Sequence, residues 1–419
     1  MSSYIIEGGK KLEGEVDISG SKNASLPIIA GSILNKGVTK LYNVPNIRDT
    51  RIMLKILKVL GCKIKKNSVK IVIDSRKMNN KNIPEELMNK MRSSVILAGA
   101  LLSRNKEATF SYPGGCDIGA RPIDLHLEGF RKIGVEIVED AGYIKCNCSK
   151  IIGKEISLDF PSVGATENIM LASVKAEGTT IIKNAAREPE IVDLQDFLNK
   201  MGAKISGAGE SEITIEGVKD LKKDVSYTVM PDRIEAGTYL CAVAATAGKV
   251  KLNKVKPEHI SSVIYKLEKM GCNIEVQKNT IYLEAPKKLK AEDIKTMPYP
   301  GFPTDMQSIF STILTISKGT SMIVENIFEN RYKYTSELIK MGAKIKIEGK
   351  TAVIKGVRKL SGTKVSSSDL RGGAALVIAG LIAKGKTEVT NIDYILRGYE
   401  KLDEKLQKLG ARIKIKEGD

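Results

Sequence analysis

The segment Met341-Gly342-Ala343-Lys344-Ile345 belongs to a pattern that occurs six times along the 419-residue chain. In each copy a hydrophobic residue precedes Gly, and a small residue, a polar residue and Ile follow it. The six glycines are Gly61, Gly134, Gly202, Gly271, Gly342 and Gly410. Their separations, 134−61, 202−134, 271−202, 342−271 and 410−342, are 73, 68, 69, 71 and 68 residues. The chain is therefore predicted to contain six repeats, each longer than the roughly 20–50 residues of solenoid units.

Each copy of the pattern indicates the end of a helix and the start of a strand. Gly directly after the last helical turn adopts a left-handed conformation, and the alternation that follows it is typical of a strand. A second helix-to-strand junction is marked in five repeats by Gly37, Gly178, Gly248, Gly319 and Gly385. A repeat is predicted to run helix, strand, loop, helix and strands, and the six repeats divide into two sets of three.

Length and composition favour a cytoplasmic protein of two or three domains. The chain is 42% hydrophobic, which is enough for ordinary cores. Residues 1–9 do not resemble a signal peptide. The most apolar helical stretches, residues 95–102 and 374–383, are shorter than the about 20 residues that cross a bilayer.

The net charge of +18 raises the question of an anionic partner. Lys residues are scattered over predicted strands and helix faces, Trp is absent and aromatic residues make up 5% of the chain. Platforms that stack single-stranded nucleic acid need more aromatic residues. Small anionic substrates are therefore favoured over nucleic acid or a membrane. A basic repeat protein that binds RNA remains the alternative, and salt-dependent RNA binding would be its signature.

The helix starts recur once per repeat and combine capping residues with cations. Unpaired backbone N–H groups and the helix dipole make such starts natural anion sites. Taken singly, an Asp at a helix start is most often only an N-cap. The six starts are Ser21-Lys22-Asn23, Met91-Arg92-Ser93, Ser162-Val163-Gly164, Asp232-Arg233, Thr304-Asp305 and Asp369-Leu370-Arg371.

Cys116 lies in a glycine-rich loop, residues 113–124, with Arg121 nearby to favour its thiolate. It is interpreted either as a chemically active thiol or as an incidental loop thiol. His126 lies close enough in sequence to tune it. Cys62, Cys241 and Cys272 are predicted to be core residues. A metal site is not expected, because Cys146 and Cys148 have no His or further Cys near them.

These motifs resemble the enolpyruvyl transferase family, in particular its members that act on UDP-N-acetylglucosamine. The resemblance spans the chain and implies an α/β fold of two similar inside-out α/β barrel domains, each of three repeats with buried helices. It implies one domain at residues 22–229, a second at residues 1–21 plus 230–419, and a hinge near residues 21 and 230. The strand from Glu15 to Gly20 is expected to close a repeat at the far end of the chain. The matching motifs are Ser19–Ala24, Pro113–Cys116, Ala185–Asp193, Phe302–Gln307, Phe328–Arg331, Ser368–Arg371 and Arg397–Glu400.

The resemblance also implies a reaction, the transfer of the enolpyruvyl group of phosphoenolpyruvate to the 3′-hydroxyl of UDP-N-acetylglucosamine with release of phosphate. This is the first committed step of peptidoglycan synthesis, and fosfomycin alkylates the loop cysteine. Cys116 is expected to be the acid and to form a covalent adduct, and Asp305 to be the base. No metal or other cofactor is expected. Lys22 and Arg397 complete the expected catalytic set, and the phosphoenolpyruvate site would comprise Lys22, Asn23, Arg92, Arg121, Arg371 and Arg397.

For the nucleotide sugar the resemblance implies a separate group of residues. Phe160 stands where some relatives carry Lys, so one diphosphate contact is expected to be missing. The shikimate-pathway enolpyruvyl transferase is the nearest rival, and the Cys116 loop and the segment 187–190 argue against it. The expected nucleotide-sugar residues are Asn23, Arg92, Arg121, Pro122, Ile123, Asp124, Leu125, Ser162, Val163, Gly164, Asp305 and Ile327.

Overall fold

The computed structural model describes residues 2–79, 82–112 and 123–417. These residues divide into two compact units. The first unit lies between residues 20 and 230, and the second combines the chain up to residue 19 with the chain from residue 231. The predicted boundaries, after residues 21 and 229, lie within two residues of this division.

Strands and helices alternate along the described chain as the repeat pattern predicts. The strands β1 to β23 are Ser3–Glu7, Glu13–Asp17, Val38–Tyr42, Lys63–Lys66, Lys70–Asp74, Glu107–Ser111, Glu136–Asp140, Tyr143–Asn147, Glu155–Ser157, Thr179–Lys183, Lys204–Ser206, Glu212–Glu216, Asp224–Thr228, Lys249–Asn253, Asn273–Gln277, Thr280–Glu284, Ile294–Lys295, Thr320–Val324, Lys344–Glu348, Thr351–Lys355, Lys364–Ser366, Lys386–Thr390 and Arg412–Lys416. The helices α1 to α13 are Lys22–Gly31, Arg48–Val59, Glu85–Met88, Leu97–Asn105, Asp124–Lys132, Val163–Ser173, Pro189–Met201, Arg233–Ala245, Ser261–Lys269, Gln307–Leu314, Thr335–Lys340, Leu370–Ile382 and Leu402–Lys408. In the described ranges no helix is long and apolar enough to cross a membrane.

Each repeat forms one small sheet. The first unit contains β13-β3-β5-β4, β6-β8-β7 and β9-β10-β12-β11, and the second contains β2-β14-β16-β15, β17-β18-β20-β19 and β21-β22-β1-β23. In the four-stranded sheets one edge pair is parallel and the other pairs are antiparallel. The strand before α1, β2, pairs with β14 and not with a strand at the far end of the chain, so that expectation was wrong. The far repeat is completed by β1, which lies between β22 and β23.

The buried helices predicted from the family resemblance are confirmed. One helix of each repeat, α1, α4 or α6 in the first unit and α8, α10 or α12 in the second, is buried along nearly its whole length. A helix that is apolar all round, such as α12 with its sequence LRGGAALVIAGLI, must be covered on every side. The other long helices are amphipathic and bury one face. Each unit has its own hydrophobic core.

The six repeat glycines all adopt the left-handed conformation that their sequence predicts, with φ between 92° and 105°. The glycines at the second helix-to-strand junction are required for two different physical reasons. Gly178, Gly319 and Gly385 have positive φ, whereas Gly37 and Gly248 admit a close backbone approach. A Cβ atom would lie 1.7 Å from a carbonyl oxygen at Gly37 and 1.9 Å from one at Gly248.

Candidate active site

In the second unit Asp305 lies between two buried arginines. It belongs to a short 3-10 helix, residues 304–306, that leads into α10. Its Oδ1 accepts a hydrogen bond from Nη2 of Arg331 at 2.9 Å, and its Oδ2 accepts one from Nη2 of Arg371 at 3.0 Å. The arginine side chains are 3% exposed and that of Asp305 is 27% exposed. The N-cap alternative is therefore wrong for Asp305, although Asp232 and Asp369 do cap α8 and α12.

The two arginines keep the Asp305 carboxyl ionised. Burial by itself would raise the pKa of Asp305, but the charges and hydrogen bonds of Arg371 and Arg331 outweigh burial and hold it well below its ordinary value of 3.8. The pKa of Arg371 is raised in turn, since the attraction of Asp305 outweighs burial. A carboxylate held in this way is a weak base until a cation is withdrawn from it.

The ring of Tyr399 packs against the Arg371 guanidinium. The guanidinium carbon of Arg371 lies 5.3 Å from the centroid of the Tyr399 ring. The Tyr399 hydroxyl lies 2.8 Å from Oγ1 of Thr238, and that hydroxyl donates to the carbonyl of Ile234 at 2.8 Å. The Thr238 hydroxyl already donates its proton to the Ile234 carbonyl, so the Tyr399 hydroxyl must be the donor to Thr238. The lone pairs of the Tyr399 oxygen are thus left to the Arg371 guanidinium.

Several buried donors surround this group without a well-aligned acceptor in the described part of the chain. They are Nε and Nη1 of Arg371, Nε of Arg331 and Nε2 of Gln307. Buried donors that lack an acceptor cost free energy, so an anionic ligand that accepts from them would be favoured. This part of the second unit is therefore suited to a carboxylate or a phosphate.

In the first unit Lys22 lies at the start of α1 and pairs with a residue that the sequence did not indicate. Its Nζ lies 2.9 Å from Oδ2 of Asp49, whose side chain is fully buried in the first turn of α2. Ser21 caps α1 by accepting from the backbone N–H of Ala24 at 3.2 Å. Asn23 follows directly and is partly exposed. A buried lysine ammonium next to a helix start is thus paired with a buried carboxylate.

The expected nucleotide-sugar residues that are described in the first unit lie at the starts of two helices. Ile123, Asp124 and Leu125 begin α5, and Ser162, Val163 and Gly164 begin α6, where Ser162 caps by accepting from the Ala165 N–H at 3.3 Å. The two starts pack together through His126 and Gly164, since a Cβ at Gly164 would lie 3.0 Å from Cε1 of His126.

His126 has a defined protonation state in this packing. Its Nδ1 lies 2.9 Å from Nδ2 of Asn168, an amide nitrogen that only donates. Nδ1 therefore accepts, and the proton of the neutral ring is on Nε2. The expected influence of His126 on Cys116 stays a prediction, because Cys116 lies outside the described residues.

The remaining predicted positions are distributed over both units. Arg121 and Pro122 lie, like Cys116, outside the described residues. Arg92 begins a 3-10 helix in the first unit, residues 92–96. In the second unit Arg397 ends a 3-10 helix, residues 392–397, and the Ile327 N–H donates to Glu325 at 2.8 Å.

Sequence reasoning missed the roles of Arg331, Asp49 and Tyr399. Arg331 and Tyr399 belong to two of the motifs that match the family, Phe328–Arg331 and Arg397–Glu400, whereas Asp49 belongs to none of them. The motifs pointed to the right regions for Arg331 and Tyr399. They did not say which side chain is buried against a functional group.

Comparisons with known proteins agree with this arrangement. The family described as EPSP synthase (3-phosphoshikimate 1-carboxyvinyltransferase) matches residues 6–406. The chain belongs to this family of enolpyruvyl transferases. It is 54% identical over 414 residues, 99% of each chain, to UDP-N-acetylglucosamine 1-carboxyvinyltransferase 2 of Caldanaerobacter subterraneus subsp. tengcongensis. It is 49% identical over 419 residues, 100% of this chain and 99% of the relative, to UDP-N-acetylglucosamine 1-carboxyvinyltransferase 1 of Carboxydothermus hydrogenoformans.

Solved structures show the same fold at lower identity. The enolpyruvyl transferase NikO from Streptomyces tendae has a TM-score of 0.89 at 24% identity, covering 99% of this chain and 98% of that one. EPSP synthase from Acinetobacter baumannii has a TM-score of 0.76 at 18% identity, covering 99% and 100%. The predicted inside-out α/β fold is therefore confirmed.

Proposed function

We propose that this chain is a UDP-N-acetylglucosamine 1-carboxyvinyltransferase, which transfers the enolpyruvyl group of phosphoenolpyruvate to the 3′-hydroxyl of UDP-N-acetylglucosamine and releases phosphate. The observation that carries the proposal is 54% identity over 99% of the chain to a relative with that name. In this role the protein works in the cytoplasm and catalyses the first committed step of peptidoglycan synthesis.

Asp305 is the proposed base for the 3′-hydroxyl proton. Its pairing with Arg331 and Arg371 makes it a weak base before the substrates bind. Phosphoenolpyruvate carries a carboxylate and a phosphate, both of which compete with Asp305 for the guanidinium groups. Binding of phosphoenolpyruvate therefore raises the pKa of Asp305 at the stage when a base is needed.

Cys116 is the proposed acid. It protonates the methylene carbon of phosphoenolpyruvate, and the 3′-hydroxyl oxygen then attacks the neighbouring carbon as Asp305 takes its proton. The methyl group of the resulting tetrahedral intermediate returns a proton to the Cys116 thiolate as the carbon–oxygen bond to phosphate breaks, which forms the carbon–carbon double bond of the enol ether and releases phosphate. Attack of the Cys116 sulfur on the same carbon would instead give the covalent adduct, and the epoxide of fosfomycin would alkylate this thiol.

The charged groups of both substrates are assigned to cations and helix starts. Lys22, Arg92, Arg121, Arg371 and Arg397 would neutralise the phosphate and carboxylate of phosphoenolpyruvate, with Asn23 donating hydrogen bonds. The starts of α5 and α6 would hold the uracil and the diphosphate, and Asp305 and Ile327 the sugar. Since protein cations supply the positive charge, activity is expected to persist in excess chelator.

The direct test is phosphate release from phosphoenolpyruvate with and without UDP-N-acetylglucosamine, for the wild type and Cys116→Ala. Release that requires UDP-N-acetylglucosamine and collapses in Cys116→Ala supports the proposal. Release with shikimate 3-phosphate as the acceptor would overturn it in favour of the other branch of the family. Absence of release with either acceptor, together with salt-dependent RNA binding, would favour a non-catalytic basic repeat protein.

A further inference from the structure

We infer that the second unit binds a small, multiply phosphorylated ligand at a cavity formed where its inner helices end. The cavity has a volume of about 240 Å³ and is lined by the ends of α8 and α12 and by loops that follow β1, β16 and β20. Asp305 and Arg371 lie at the opposite, N-terminal ends of α10 and α12, so the cavity is separate from the Asp305 site.

The cavity is bordered by a pattern that recurs once in each repeat of the second unit. Two basic residues and a leucine follow a strand as Lys10-Lys11-Leu12, Lys287-Lys288-Leu289 and Arg358-Lys359-Leu360. The three leucines are 0% to 3% exposed. Burial of each leucine fixes the loop and directs the preceding cations toward the cavity. Five of the six cations line it, all except Lys11.

The charge at the cavity is not balanced by the described protein. Lys10, Lys287, Lys288, Arg358 and Lys359 are exposed, and none of them forms an ion pair with a described residue. None of the described residues that line the cavity is acidic. The C-terminal end of a helix carries about −0.5 elementary charge, so the ends of three inner helices offset about −1.5 against five positive charges. The positive charges that are not offset repel one another, and a bound polyanion would relieve that repulsion.

The corresponding positions of the first unit show that such a cluster is not a requirement of the fold. There Arg76 pairs with Asp74 at 2.7 Å, and Lys150 pairs with Glu177 at 3.0 Å. In the third repeat of that unit Asp220 follows Lys219 in place of a second cation. Each of these loops in the first unit therefore has a carboxylate beside one of its cations, although Lys77 adds a second cation after Arg76, whereas the three loops of the second unit are basic throughout. This difference favours a ligand at the second unit.

The lining also indicates the chemical class of the ligand. Alanine, leucine and isoleucine side chains from the ends of α8 and α12, including Ala245 and Leu381, form an apolar floor beneath the basic rim. Two or more phosphate groups would match the spread of cations around the rim, and an uncharged group such as a nucleobase would contact the floor. The cavity is too small for a polymer to enter.

Calorimetric titration of the full-length protein with inorganic triphosphate and with ATP, at about 0.15 M salt, tests this inference. Lys287→Gln/Lys288→Gln and Arg358→Gln/Lys359→Gln are expected to weaken triphosphate binding about tenfold each, since each removes two charge-assisted contacts. Lys414→Gln/Lys416→Gln is the matched control, because it removes the same charge from exposed positions of β23. ATP is expected to bind more tightly than triphosphate, because its base would contact the apolar floor.

Equal loss of affinity in the control pair would overturn the inference, because binding would then reflect net charge. It would also fail if triphosphate bound Lys22→Gln much more weakly than the wild type, which would place the ligand at the proposed catalytic site. Binding to vesicles with anionic lipid, without binding of triphosphate or ATP, would contradict a small ligand. None of these readouts depends on enolpyruvyl transfer, so the proposed function is tested separately.

Discussion

Arg371 and Asp305 form an ion pair in the second unit, with 3.0 Å between Nη2 and Oδ2, although they come from different repeats and are 66 residues apart. The pair joins the proposed base to a cation that is also suited to the substrate's anionic groups. In the proposed reaction phosphoenolpyruvate is therefore the substrate that releases Asp305, which then acts on the 3′-hydroxyl of the other substrate, UDP-N-acetylglucosamine.

Replacing Arg331 is expected to make Asp305 a stronger base in the free enzyme. Removal of one of two cations lets the pKa of Asp305 rise toward its ordinary value of 3.8. In Arg331→Gln the acid limb of the kcat/KM profile for UDP-N-acetylglucosamine should move up by about one pH unit or more. Lys414→Gln is the control for lost charge, and an acid limb at the same pH in both variants would contradict the prediction.

The same ion pairs make stability depend on pH. Because the pKa of Asp305 is depressed in the native state, its contribution is complete above the ordinary value of 3.8 and is lost as the pH falls below it. Asp305→Asn should therefore lower the thermal midpoint at pH 7 and lower it less near pH 3. An equal difference at both pH values would show that the pairs do not stabilise the fold.

Tyr399→Phe is expected to raise KM for phosphoenolpyruvate about tenfold with a smaller effect on kcat, since the Arg371 guanidinium loses the favourable electrostatic interaction with the Tyr399 hydroxyl oxygen. Tyr239→Phe is the matched control. Tyr239 is also fully buried in this unit, and its hydroxyl has no hydrogen-bond partner in the described chain. Similar KM values in the two variants would mean that Tyr399 only fills space.

Asp49→Asn is expected to destabilise the first unit by about 3 kcal/mol, because it removes the carboxylate that compensates the buried Lys22 ammonium. Asp74→Asn is the control, since it breaks the largely exposed pair with Arg76, a kind of pair worth about 0–1 kcal/mol. Denaturant unfolding of both variants measures the difference. Equal losses would show that burial does not strengthen the Lys22–Asp49 pair.

Alkylation by fosfomycin is expected at Cys116 alone. Burial raises the pKa of the other thiols, to about 11 for Cys62 and about 12 for Cys146 and Cys272, so they carry little thiolate at pH 8. Intact-mass analysis should show one adduct in the wild type and none in Cys116→Asp. An adduct that persists in Cys116→Asp would contradict the assignment.

Gly342→Ala is expected to cost about 1–2 kcal/mol of stability. The residue has a φ of 98° and no atom within 4 Å of an added Cβ, so the cost is conformational only. Gly342→Asn should cost less, because Asn tolerates this conformation better. The reverse change, Lys106→Gly at a φ of 64°, should stabilise the protein. Thermal unfolding of the three variants checks the order.

The repeat architecture was predictable because it depends on local chemistry. A glycine that ends a helix needs only its own backbone freedom, so the left-handed conformation of Gly61 and its five equivalents followed from the sequence. The strands with which β1 and β2 pair were harder to predict from the sequence. Their partners are far away along the chain, and the pairing depends on how each sheet is completed in the folded unit. The strand before α1 was accordingly assigned to the wrong repeat.

In the candidate site, too, some residues were predictable from local sequence and others were not. Helix starts and nearby cations are local signals, and they led to Lys22, Ser162, Asp305 and Arg371. The partners of these residues are not local signals. Asp49 resembles any acidic residue in a first helical turn, and its full burial beside Lys22 is visible only after α1 and α2 are packed.

By itself the sequence determined the six repeats, the helix ends and the family of this protein, since each depends on residue type and spacing along the chain. Only the tertiary structure decided that Asp305 is held between two arginines, that Tyr399 packs against Arg371, and that five cations line one cavity. These relationships depend on burial and on distances between segments far apart in the chain. Such distances are set when the repeats pack, because burial determines which charges are paired with each other and which are left to a ligand.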